Sequence, residues 1–356
     1  MIYSVPQIGS AIGDQLQELD ALRRELSIRV DRAVPWSGSL RRFEKGSAWG
    51  SSVGIEGFEV TNERAIELAS GLGDAPRNED EQALACYAQA MDHVATLAED
   101  DQFDWSTRVI LDLHFEACRF QTDKRPGLLR KGQIKVTGPS GGSGFEAPPA
   151  EQVPGLCREL SVSLTDSGAV HPVVAAALAH LNLVSIHPFE DGNGRISRII
   201  QSLVLARQRI LAPEFGSIES CLADDTGAYY AALQSVQRGT YSPTNDPTPW
   251  IEFCVKAHLE QAEARGKVIE IAANRWTKLE GIVSRRGWDD RLVIALEQAL
   301  TGGTSRARYT EEAAVSNPTA SNDLRRLVDA GYLDRVSQGR TASYKSSERL
   351  ETEANQ

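Results

Sequence analysis

Residues 187–198 read HPFEDGNGRISR and place a histidine, an acid, a Gly-Asn-Gly turn and two arginines within twelve positions. Gly192, Asn193 and Gly194 fall at a predicted helix N-terminus. Small residues there leave backbone N–H groups unpaired, and the helix dipole adds positive potential, so the turn suits an anion. Arg195 and Arg198 are three apart, share a helix face and can grip phosphate oxygens. Asp191 is a hard oxygen ligand suited to a Mg2+ ion that bridges phosphates. His187, four residues before Asp191, can take a proton from a hydroxyl near neutral pH. Together these groups specify phosphoryl or nucleotidyl transfer. The plainer reading stands beside it: a Gly-Asn-Gly turn between helices is often only a turn, and a histidine at a helix end is often structural.

Two elements must hold that loop. The run from Val173 to Ile186 is nearly all apolar, broken by His180, Asn182 and Ser185, and it predicts a core helix with His180 buried in it. It is shorter than the roughly 20 residues a membrane span needs, so no membrane role is expected. On the outgoing side Ile196, Ile199, Ile200, Leu203 and Val204 recur at helical spacing. Further helices are predicted over 14–30, from 79 to about 98, from 104–106 to 120, from about 225, and on both sides of residue 266. The 126–150 stretch predicts a hairpin with a glycine-rich tip. The expected fold is mainly α.

At 356 residues, two or three domains are expected. Hydrophobic residues at 41% and charged residues at 24% describe an ordinary globular chain, and the net charge of −11 argues against wholesale nucleic-acid binding. The five cysteines are scattered without zinc spacing, and the N-terminal stretch lacks a basic region followed by an apolar core. Both point to a reducing, cytoplasmic setting without a signal peptide.

The loop matches HxFx(D/E)GNGRxxR at every specified position, and on that string the chain resembles the Fic (Fido) family over roughly 80–265. The resemblance implies a Fic helical core with a small β-hairpin flap. It implies AMP transfer from ATP, with Mg2+, to a Tyr, Thr or Ser hydroxyl of a target protein or of the chain itself, releasing pyrophosphate. His187 would be the general base and Asp191 the metal ligand. The Gly192, Asn193 and Gly194 amides, with Arg195 and Arg198, would hold phosphate, and Phe189 would anchor the loop. Doc-type relatives that phosphorylate lack the second glycine, so Gly194 favours adenylylation.

Two further stretches resemble family features. Tyr229, Tyr230 and Gln237 sit where the family borders the nucleobase, although paired tyrosines also serve as packing residues. Ile134, Lys135 and Val136 sit at the flap, whose edge can take an extended target by strand addition. Ser52 to Gly57 fits the inhibitory pattern (S/T)xxxE(G/N), with Ser52, Glu56 and Gly57 at the specified positions. There Glu56 would engage Arg198 and deny it to the γ-phosphate. Gly54 costs that helix about 1 kcal/mol relative to alanine, so the brake is expected to loosen readily. In some relatives the same glutamate serves AMP removal.

The expected divisions are an N-terminal helical region (1–78, with the inhibitory helix near 47–57), a catalytic core (79–265), a linker helix (266–287) and a winged helix-turn-helix module (288–350). In the last, Arg325 and Arg326 lie on the recognition helix and Arg335, Arg340 and Lys345 flank the wing; DNA is a candidate partner, and such modules also dock proteins. A DNA-binding regulator using the Fic fold as a nucleotide sensor is the second function class. The tail from 351 is expected to be disordered, and a homodimer is left open.

Overall fold

The computed structural model describes residues 1–30, 37–71, 74–136, 144–338 and 341–355. In chain order its helices begin with α1 (Ser10–Arg29), α2 (Ser37–Ile55), α3 (Asn62–Ala69), α4 (Glu79–Glu99) and α5 (Thr107–Cys118). A short hairpin of β1 (Lys135–Val136) and β2 (Phe145–Glu146) follows, then α6 (Val153–Thr165), α7 (Pro172–Ile186) and α8 (Asn193–Ala206). Next come α9 (Pro213–Gly216), α10 (Glu219–Asp224), α11 (Thr226–Gln237) and α12 (Thr248–Arg285). The chain closes with α13 (Leu292–Leu300), β3 (Thr304–Ser305), α14 (Arg306–Glu312), α15 (Asn317–Asp329), β4 (Leu333–Gln338), β5 (Thr341–Ser346) and α16 (Glu348–Asn355). The fold is mainly α, as expected. Among the described residues no helix is long and apolar enough to cross a membrane.

The chain divides into two compact units: residues 1–27 with 45–264, and residues 28–44 with 265–356. In the first, α7 is the central element. His171 caps it and Pro172 opens it, where a missing N–H costs nothing. Its residues are buried almost all the way round, the signature of a helix surrounded by others rather than facing water. It packs along α8, which also meets α4 and α5. Ile196, Ile199, Ile200 and Leu203 are fully buried there. The glycines of α2 let it approach α3 closely: a Cβ on Gly46 would lie 2.7 Å from the Ile66 Cα.

The second unit holds a three-stranded antiparallel sheet in the order β3-β5-β4, with α13, α14 and α15 preceding the β4–β5 hairpin. Tyr309 and Arg291 both bond to buried Asp323, at 3.0 and 2.7 Å, and tie α14 and α15 to the residue preceding α13.

Several expectations need correction. Residues 266–287 are not a separate linker helix, because α12 runs unbroken from Thr248 to Arg285. A lone interior glycine costs about 1 kcal/mol, and burial of Ile269, Ala272, Trp276, Leu279 and Val283 at helical spacing outweighs it. Residues 1–78 are not one region, since 28–44 group with the C-terminal residues. The inhibitory stretch is the end of a helix that begins at Ser37, ten residues before the expected start. The tail is helical rather than disordered, with Leu350 and Ala354 buried. The expected hairpin is present, and among the described residues its ladder pairs Lys135–Val136 with Phe145–Glu146. Its glycine-rich tip, and Arg340 at the wing, lie outside the described residues.

Because α16 buries Leu350 completely, Leu350→Ala should destabilise the second unit by about 2–5 kcal/mol. Denaturant unfolding would measure this, and an unchanged midpoint would mean that the tail does not dock.

Candidate active site

The loop is built from its two ends. At the C-terminus of α7, His187 adopts the left-handed conformation (φ 51°, ψ 59°), and its N–H donates to the Leu183 carbonyl at 3.0 Å. Its Nδ1 lies 3.2 Å from the Val184 carbonyl. A carbonyl only accepts, so Nδ1 carries the proton and Nε2 keeps a free lone pair. Burial pushes the imidazole pKa down to about 4, so the ring is neutral at pH 7.

The turn that follows is clamped. Asn193 Oδ1 accepts the Phe189 N–H at 2.9 Å and its Nδ2 donates to the Phe189 carbonyl at 3.0 Å. Phe189 is fully buried and stacks on His114, ring centroids 3.5 Å apart. His114 Nε2 donates to the Asp191 carbonyl at 2.9 Å, while its Nδ1 accepts the Gly127 N–H at 2.9 Å. Gly192 has φ 76°, and a side chain there would collide with Cys118 Sγ. The Asn193 side chain therefore shapes the loop.

At the head of α8 the backbone amides of Asn193, Gly194 and Arg195 have no acceptor among the described residues. Asp191 Oδ1 takes the Gly192 N–H at 2.7 Å; Oδ2 takes Gln121 Nε2 at 2.8 Å and lies 3.3 Å from Arg195 Nη2. Its side chain stays 40% exposed, open to a further ligand. Arg195 is 1% exposed, donates to Gln121 Oε1 at 2.8 Å and lies across the Phe58 and Phe120 rings. Arg198, equally buried, turns to different partners: Nε reaches Ser52 Oγ at 2.7 Å, and Nη2 reaches the Ser52 carbonyl at 2.9 Å and Glu56 Oε1 at 2.7 Å. Among the described residues, Nε and Nη1 on Arg195 and Nη1 on Arg198 are buried donors without a hydrogen-bond partner. Burial opposes the Arg198 charge, yet the neighbouring Glu56 holds its pKa above the usual arginine range.

Glu56 arrives by a specific turn. Phe58 N–H bonds to the Val53 carbonyl at 3.3 Å and Gly57 N–H to the Gly54 carbonyl at 3.0 Å, the double closure of a Schellman motif. That closure needs positive φ at the residue after the cap, and Gly57 has φ 90°. Glu56 occupies the cap itself, one residue past α2, and its carboxylate lies against Gly194, where a Cβ would collide with it.

Tyr229 and Gln237 are buried and engaged, Tyr229 OH 3.1 Å from His180 Nε2 and Gln237 Nε2 donating to Ser185 Oγ at 2.8 Å; Tyr230 is half-buried beside Tyr229. Ile134, Lys135 and Val136 form the flap strand and its approach, with Lys135 exposed. Sequence reasoning missed Gln121 and His114. Each acts across more than 60 residues of chain, and neither carries a local signal.

A family model described as the Fic/DOC family matches residues 104–205. Among curated proteins, the Protein adenylyltransferase Fic of Drosophila yakuba is 32% identical over 202 residues, covering 54% of this chain and 38% of that protein. Its Drosophila melanogaster counterpart is 31% identical over the same length, with the same coverage. The chain thus spans under two-fifths of the length of these relatives. In fold, it resembles a Fic family protein from Desulfovibrio desulfuricans G20 (TM-score 0.60, 22% identity, 97% of this chain and 98% of that one). It also resembles residues 134–508 of Fic-1 from C. elegans (TM-score 0.57, 21% identity, 73% of each chain).

The histidines give the site a pH signature. Burial pushes His114 and His187 down to about 4, His180 to about 3, and His258 well below the usual range. The unfolded chain takes up these protons near pH 6.5 and the folded chain does not, so the stabilisation is complete above 6.5 and is lost as pH falls toward 4. Denaturant titrations should show unfolding free energy falling through that window, with a shallower slope for His180→Gln. Stability that is flat from pH 6.5 to 4.5 would contradict neutral burial.

Proposed function

We propose, from the match of residues 104–205 to the Fic/DOC family, that the chain is an autoinhibited protein adenylyltransferase. It moves AMP from ATP to a Tyr, Thr or Ser hydroxyl of a target protein or of itself and releases pyrophosphate.

The observation that carries this reading is the arrangement at the head of α8. Three amides without an acceptor among the described residues, and two buried guanidiniums that retain unpartnered donors, all belong to the first two turns of one helix. A buried donor without an acceptor is costly, and a polyphosphate supplies the missing acceptors. Asp191 fits a Mg2+ ion, which takes one or two carboxylates and completes its shell with phosphate oxygens and water; when bound, that ion neutralises charge on the phosphates. His187 Nε2 takes the proton from the attacking hydroxyl. The hydroxyl oxygen forms a bond to the α-phosphorus as the bond from that phosphorus to the bridging oxygen breaks, and pyrophosphate leaves. Arg195 and the amides hold the departing charge.

Glu56 on Arg198 is the basis for autoinhibition. The carboxylate lies 2.7 Å from Arg198 Nη2, on the guanidinium that this reading assigns to the γ-phosphate, so the two would compete for it. The second unit supports a winged-helix reading, with α14 and α15 followed by the β4–β5 hairpin. Asp323 is turned inward onto Arg291, while Asn322, Arg325 and Arg326 are exposed on α15. We read that face as a DNA-docking surface. A gel shift whose affinity drops with salt, and is lost in Arg325→Ala/Arg326→Ala, would support it.

Glu56→Gly should raise incorporation of label from [α-32P]ATP by at least about tenfold, the loss of one charge-assisted pair, and His187→Ala on that background should abolish it. Gly54 has open space around it, so Gly54→Ala should stiffen α2 by about 1 kcal/mol and lower labelling by the otherwise wild-type protein. Unchanged labelling in Glu56→Gly would remove the brake.

A further inference from the structure

Arg130 lies at the entry to the flap and is 3% exposed. Its guanidinium spends its donors on backbone carbonyls. Nε donates to His187 at 2.8 Å, Nη1 to Gly132 at 2.7 Å, and Nη2 to Pro148 at 2.5 Å and Ile186 at 3.5 Å. Its own N–H donates to the Pro188 carbonyl at 2.9 Å. Gly132 and Pro148 are the two legs of the flap; Ile186 and His187 are the end of α7. One planar group therefore joins both legs of the hairpin to the residue carrying the free Nε2.

The hairpin continues from that joint. Gln133 Nε2 donates to the Ala147 carbonyl at 2.6 Å, the Ala147 N–H to the Ile134 carbonyl at 3.3 Å, and Lys135–Val136 then pair with Phe145–Glu146. The far side of β2 is already taken, since Glu146 N–H bonds to Gly239 and its carbonyl accepts the Tyr241 N–H. Among the described residues, the outer edge of β1 is the unpaired one. An extended acceptor segment laid along it is placed relative to Arg130, and through Arg130 relative to His187.

We propose that Arg130 is the positioning residue that registers the flap against the catalytic base, so that a hydroxyl carried by a segment on β1 arrives at His187 Nε2. This rests on the adenylyltransferase reading above. Three features of the group suit the task. Its fork reaches three directions at once, which a lysine ammonium on a flexible stem does not reproduce. It fixes the carbonyl of a residue held at φ 51°, a conformation uncommon for a non-glycine residue. Its charge also faces the imidazole, whose other charged neighbours are Glu56 from the end of α2 and Asp191 from the loop; the cation disfavours a second proton on the ring and the two carboxylates favour it.

The test uses the full chain carrying Glu56→Gly, with Arg130→Lys and Arg130→Gln added separately. Single-turnover self-labelling with [α-32P]ATP should fall about tenfold in the lysine variant and roughly 100-fold in the glutamine variant, the scale of an ångström-level misplacement. ATP affinity should stay within about twofold, because Arg195 and Arg198 are untouched. The acid limb of the rate profile should move to higher pH in Arg130→Gln and stay in place in Arg130→Lys, which keeps the charge. Labelling at the parent rate in both variants, or ATP affinity falling in step with rate, would overturn the assignment. If the Glu56→Gly parent itself does not label, the transferase reading fails, and amide hydrogen exchange decides the Arg130 role. Faster exchange in Arg130→Gln at 133–136, 145–147 and 186–189 together supports the joint; faster exchange on one side alone overturns it.

Discussion

The charge on Arg198 is the constraint around which the first unit is arranged. A guanidinium that is 1% exposed must be answered by acceptors. Ser52, in the last turn of α2, answers with a hydroxyl and a carbonyl, and Glu56 at its cap with a carboxylate. Behind them, Glu219 is buried with its pKa raised by loss of solvent, bonded to Tyr87 and moderated by Arg198. The interior is thus matched to a cation at this point whether or not Glu56 stays. Under the proposed function Glu56 and a phosphate compete for one guanidinium, and each would weaken the other by the same factor.

The loop itself depends on backbone conformations that side chains must tolerate. His187 and Gly192 both lie at positive φ, and Asn193 closes the turn between them. The His114–Phe189 stack supports it from beneath. These interactions leave the functional atoms with little freedom, as a pre-organised site requires. Burial keeps four histidines neutral, which suits a base but leaves the fold sensitive to acid.

Legibility in the sequence followed the range of the interactions. The turn at 187–198 was readable because glycine, histidine and arginine at fixed offsets report local conformation. The family, the helical character and the hairpin were also within reach. Gln121 and His114 were not, because a glutamine bridging Asp191 to Arg195 is meaningful only once α5 lies beside α8. The unbroken α12 was misread at Gly266, since a single glycine costs less than the apolar stripe on either side contributes. The polar tail hid a helix because two apolar residues, Leu350 and Ala354, suffice to dock it.

Gly194 has a consequence for how this chain can drift over evolutionary time. Its missing Cβ is the room into which the Glu56 carboxylate fits, and its backbone N–H is one of the amides left free for an anion. A side chain there would make the Glu56 carboxylate shift and would crowd the free amides in the same event. Under the proposed function, a change at this one position touches restraint and catalysis together.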